Sequence, residues 1–172
     1  MRYDERQKEL EDRAWKHIAV REFAEAETAL RQLIDTIDAD DAERLWHLHA
    51  VLAGVLNGLS RAAEGTDMYR RALAEARRLG DTHFAVGHAR YTLANQYLTF
   101  GDPRDALAET DPVPAGSGHI QSLLHAVSAQ ALWKLDRRDE ARLAAQRSID
   151  TSPHEEWRVN MTRDLAHILS AG

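Results

Sequence analysis

The chain contains no cysteine. A disulfide scaffold, a thiol nucleophile, an iron–sulfur cluster and a cysteine-built zinc site are therefore excluded. There is no basic surplus either: 22 Lys+Arg stand against 28 Asp+Glu, a formal charge of −6, which leaves nothing for gripping a polyphosphate backbone. No uninterrupted apolar run approaches the roughly 20 residues that span a bilayer. The first residues, MRYDERQKELED, are too acidic and polar for a signal or transit peptide, so a soluble, cytoplasmic protein is expected, with no membrane partner. A Gly-x-Ser-x-Gly elbow is missing, as are the glycine-rich loops of dinucleotide and Walker type. Proline and glycine are scarce and gather once, in the stretch DPVPAGSG at residues 111–118, which reads as a loop replacing the end of a helix.

What is present is a length of 172 residues with 44% hydrophobic side chains, enough for one folded domain over residues 1–172 without staples. Small residues recur twelve apart: Ala14 and Ala26, Ala53 and Gly65, Ala94 and Ala106, Ala129 and Ala141. Each pair brackets a polar break, namely Val20-Arg21-Glu22, Leu59-Ser60-Arg61, Gly101-Asp102-Pro103 and Asp136-Arg137-Arg138. The second members are spaced 39, 41 and 35 residues apart, periods that belong to helical-hairpin arrays. Two antiparallel helices joined by a short turn approach closely only where their crossing carries little side chain.

Apolar residues follow a helical period, as in Ala26, Ala29, Leu30, Leu33, Ile34 and Ile37. Nine helices are predicted, at about 4–19, 22–37, 42–58, 61–79, 82–100, 103–110, 118–135, 138–151 and 155–170. Ser60 and Asp81 are the expected N-caps of two of them, Pro153 stands near the start of the last, and Gly80 and Gly101 mark helix ends. No period-two strand pattern is found.

Residues 93–107, LANQYLTFGDPRDAL, resemble the heart of a tetratricopeptide repeat (TPR). They carry a leucine-small pair, an aromatic three residues after the small one, a Gly-Asp turn and the following Ala-Leu. Residues 129–153 resemble the same motif through Ala141, Ala145, Ser148 and a closing Pro153. Residues 61–81 are similar to the longer repeats of bacterial regulators, ending in Leu79-Gly80-Asp81. Gly65 stands where the family has alanine. The resemblance implies an all-α, right-handed α-α superhelix of about four hairpins, with units at about 4–38, 42–80, 82–111 and 118–153 and a capping helix at about 155–170.

The nine histidines do not form a ligand set by spacing. His47 and His49 point to different sides of a helix, His83 and His88 are five apart, and His154-Glu155-Glu156 lacks a second histidine four residues on. His47 and His88 fall at equivalent places in successive units, each six residues before a small residue. Carboxylate pairs such as Asp40-Asp41 and Glu155-Glu156 sit at helix starts, where they offset the dipole. Arg61, Arg70, Arg71, Arg77 and Arg78 lie within residues 46–80, which hold five basic against three acidic residues, while residues 1–45 hold eight against thirteen. That contrast could guide partner approach or self-association, but a solvated helix face is the favoured reading. No catalytic constellation, cofactor motif or metal set emerges, and no enzyme is expected.

The resemblance further implies a concave groove lined by the first helix of each hairpin. The residues beside the first small position, Trp15, Gly54, Asn95 and Gln130, look inward there. The candidate partner-binding residues are Trp15, His47, Asn57, His88, Tyr91, Asn95, Leu98, Gln130, Trp133 and Lys134. Asn95 matches the groove asparagine of chaperone-binding members, but only Lys8 and Lys134 are available to grip a terminal carboxylate as those members do. Rings and amides suit an extended or helical peptide. The expectation is a non-catalytic scaffold for another protein or peptide, with a regulatory sensor of a signalling peptide or small ligand as the alternative. Exposed end helices offer a route to a homodimer.

Overall fold

A computed structural model of the chain describes residues 4–113 and 117–170. Every regular element among them is an α-helix. They are α1 (Glu5–Ala19), α2 (Phe23–Ile34), α3 (Ala42–Gly58), α4 (Ala62–Arg78), α5 (Phe84–Phe100), α6 (Pro103–Thr110), α7 (Gly118–Lys134), α8 (Arg138–Asp150), α9 (Glu155–Asp164) and α10 (Ala166–Leu169). Ten helices replace the nine predicted, because the last segment turns at Leu165 (φ −101°, ψ 6°). None of the described helices is long and apolar enough to cross a membrane.

The chain divides into two compact units, one ending at Asp81 and the other beginning at Thr82. In the first, α1 packs on α2, α2 on α3 and α3 on α4, around Leu30, Leu33, Leu52 and Leu56. In the second, α5 packs on α6 and α7, and α7 on α8. Met161, Leu165 and Ile168 then press onto alanines of α7 and α8, so the C-terminal helices cover that apolar face. All eight small residues of the twelve-residue pairs are buried.

Three of the four hairpin turns are built alike. Arg21, Ser60 and Asp136 adopt φ of 61°, 61° and 60°. In each, the N–H of that residue bonds back to Ile18, Asn57 or Trp133, and the next N–H reaches His17, Leu56 or Leu132. This is the paired capping of a helix C-terminus that normally selects glycine. The fourth turn is thus Leu135-Asp136-Arg137, one residue earlier than the polar break suggests. Ser60 turns the chain and caps nothing; Arg61 occupies the N-cap of α4, and Nε and Nη2 of its guanidinium bond both oxygens of Glu64 at 2.6 Å, while Nη1 reaches Glu27 on α2 at 2.5 Å. Arg137 and Glu140 repeat the arrangement on α8. Asp81 is likewise displaced as a cap by His83, whose Nδ1 accepts from the Ala85 N–H at 3.3 Å.

Ser60 is exposed, and a left-handed backbone costs a residue with a Cβ about 1–2 kcal/mol. Ser60→Gly removes that strain but frees the unfolded chain by about 0.4–1 kcal/mol. A net gain of about 0.5–1 kcal/mol is expected in urea denaturation, with Ser60→Val moving the other way.

Candidate functional site

Close packing of α5 and α7 decides which of their residues remain available. Ala94 and Ala129 are completely buried, so the residues beside them turn toward the surface: Asn95 is exposed and Gln130 half-buried. Tyr91 precedes Asn95 by one helical turn and shares its face. These side chains converge on a pocket of about 150 Å³. Leu123, Ala126 and Val127 of α7 floor it, and Met161, Asp164 and Leu165 close it from the C-terminal helices. Burial pushes the Tyr91 phenol up, so it stays a neutral donor. The side chains of Tyr91, Asn95 and Gln130 bond no other described residue, which leaves one phenol and two amides for a ligand. Asp164 lies at the rim, with one oxygen 3.2 Å from Arg163.

The third wall depends on how α9 is hung. Ser122 and Ser148 exchange bonds, each hydroxyl donating to the other's carbonyl at 2.8 Å. The Trp157 indole N–H donates to the Ser122 hydroxyl at 3.1 Å, and its ring lies 4.0 Å from His119. At the helix start, His154 Nδ1 accepts from the Trp157 backbone N–H at 3.3 Å. This network joins its serines to carbonyls and an indole, which is positioning rather than nucleophile activation.

Other expected groove residues are placed differently. Leu98 is 5% exposed and belongs to the core with Ala94, Ala106, Val127 and Ala131. Lys134 donates to the Leu98 carbonyl at 2.7 Å, tying α7 to α5. Trp133 is half-buried, with the Arg138 guanidinium 3.7 Å over its ring and His167 edge-on at 5.9 Å. In the first unit, Asn57 turns its amide toward Gly65 on α4. Trp15 remains 43% exposed, its ring 6.4 Å from His47, which Trp46 meets edge-on at 5.7 Å.

His88 and His49 take packing roles. His88 lies in the second unit, against Phe84 edge-on at 6.3 Å, and burial first, then His119, lowers its proton affinity. His49 is buried between α3 and α4; desolvation and Arg71 push it down while Glu75 opposes them. Among the described residues no three His, Asp or Glu side chains are grouped to hold a metal ion. Of the basic residues on α4, Arg61 pairs with Glu27 and Glu64, Arg70 with Asp67, and Arg78 with Glu75 and Asp40. Arg61 holds Glu64 below the usual carboxylate range, as Arg137 holds Glu140. These are features of a solvated, ion-paired face.

No protein-family model matches this sequence, and no curated protein matches it.

Proposed function

We propose that the chain is a non-catalytic interaction module, built of TPR-like hairpins stacked as a right-handed superhelix, that docks a peptide or a segment of another protein. The observation that carries this reading is the convergence of Tyr91, Asn95 and Gln130, from two helices, on one pocket with an apolar floor. Its volume of about 150 Å³ falls below the roughly 300–1,000 Å³ of small-molecule sites and suits a single anchoring side chain. The free amides supply partners for the peptide backbone on either side of that anchor. The Asp164 carboxylate at the rim disfavours a C-terminal carboxylate as the docked group.

The test is recovery of partners from an extract of the source cells by the wild type and by the Tyr91→Ala/Asn95→Ala variant. Neither side chain is fully buried, so the variant retains its fold, which melting verifies. A partner held by the wild type and reduced about tenfold or more on the variant supports the reading, since a buried tyrosine anchor contributes at least that much. Equal recovery on both counts against it.

A further inference from the structure

Pro112 denies the residue before it a helical backbone, and Asp111 is extended at φ −122°, ψ 132°. Arg90 fixes this early ending of α6: its Nε donates to the Glu109 carbonyl at 2.8 Å and its Nη1 to the Pro112 carbonyl at 2.7 Å. Helix α6 therefore runs eight residues where α8 runs thirteen. Beside the shortened helix, α6, α7 and α8 enclose a cleft of about 480 Å³, within the range of small-molecule sites. Helix α7 contributes His125, Ser128 and Leu132. At about 100° per residue these lie on the opposite side of α7 from Leu123, Ala126, Val127 and Gln130, so the cleft is distinct from the peptide pocket.

Four charged side chains reach this cleft: Asp111, Arg137, Glu140 and Arg147. Arg137 and Glu140 hold each other through two bonds of 2.7 and 2.6 Å and cancel. Arg147 has no carboxylate partner among the described residues. Burial, followed by the Arg147 charge, holds His125 below the ordinary imidazole range, leaving a neutral ring with one N–H to donate. Leu107, Ala108, Val113 and Leu132 provide apolar wall.

We propose that this cleft binds a small organic monocarboxylate, its apolar body on Leu107 and Leu132 and its carboxylate on Arg147, with Ser128 and His125 as further donors. The Arg147 guanidinium, free of a carboxylate partner among the described residues, accepts a carboxylate in a two-point fork, with the Asp111 carboxylate left in the same lining to oppose any further negative charge. A phosphate dianion would bring a second charge toward Asp111 and Glu140 with no cation left for it. The proposal does not depend on the peptide-docking reading.

The test is a titration of the ¹⁵N-labelled full chain with 4-phenylbutyrate, alongside 4-phenylbutyramide and inorganic phosphate. Saturable shifts at the amides of His125, Ser128 and Arg147 are expected, with a dissociation constant on the order of 1 mM for so small a ligand. Arg147→Leu should weaken binding about tenfold or more, with Arg147→Gln repeating the measurement should leucine disturb the fold. The uncharged amide should fail. Shifts that do not saturate, that map elsewhere, that the amide reproduces, or that survive loss of Arg147 would overturn the site. Phosphate saturating the same amides as tightly would overturn the assignment of the ligand as a carboxylate.

Discussion

Replacing Leu52 with alanine is expected to lower the unfolding free energy by about 2–5 kcal/mol, the usual cost of truncating a fully packed leucine. Leu52 is 1% exposed and sits in the first unit among Leu30, Leu33, Leu48, Leu56 and Met68. The loss combines the transfer free energy of the deleted methyl groups with the void they leave, because rigid helices close around it only partly. Whole domains are stable by about 5–15 kcal/mol, so this one truncation should visibly shift the urea midpoint. Leu52→Met, which conserves volume, should cost less than about 1.5 kcal/mol. A Leu52→Ala loss no greater than that of the methionine variant would remove Leu52 from the core.

The second large effect is expected at Gly65, where the constraint is excess rather than deficit. A Cβ built there would lie 2.5 Å from Asn57 Oδ1 and 3.1 Å from the Ala53 carbonyl oxygen. The amide of Asn57 can swing aside, but Ala53 O belongs to the α3 backbone and moves only if the helix moves. Gly65→Leu should therefore destabilise by about 1–3 kcal/mol, even though leucine favours a helix over glycine by nearly 1 kcal/mol. Gly65→Ala should lose less, since it adds one carbon and gains a similar propensity. Combining it with Asn57→Ala should reveal a coupling above about 0.5 kcal/mol in a double-mutant cycle, because the two positions touch. Strictly additive values would show that the close approach to Asn57 carries no energy.

The sequence exposed the hairpin crossings because close packing constrains size, and size is legible in a letter. Ala14, Ala26, Ala53, Ala94, Ala106, Ala129 and Ala141 are each at most 1% exposed, and Gly65 is buried with them. Turn chemistry was less legible. Glycine does mark a left-handed residue at Gly80, with φ +108°, where the N–H bonds back to the Arg77 carbonyl at 3.0 Å. At Arg21 and Ser60 the neighbouring N–H bonds impose the same geometry on side chains that show no preference for it, and Asp136 adopts it with a residue type that tolerates it better. Histidine caps were similarly hidden, because an imidazole accepts an amide hydrogen bond only where its unprotonated nitrogen happens to face the helix end.

The candidate site divides along the same line. Tyr91, Asn95 and Gln130 follow from helical periodicity once Ala94 and Ala129 are fixed as buried. Leu98 obeys the same spacing from Asn95, yet Val127 and Ala131 of α7 cover it, a contact local periodicity does not contain. Met161 and Asp164 reach the pocket through contacts distant in the chain: Trp157 bonds Ser122, thirty-five residues away, and Met161 and Leu165 pack on alanines of α7 and α8.

The three reversals at Arg21, Ser60 and Asp136 rest on peptide groups that every amino acid except proline possesses on both sides. The side chains at those bends are exposed and leave the trajectory to the main chain. Direction and decoration are thereby uncoupled: each bend is a place where new surface chemistry can be installed while the path of the polypeptide stays as it is.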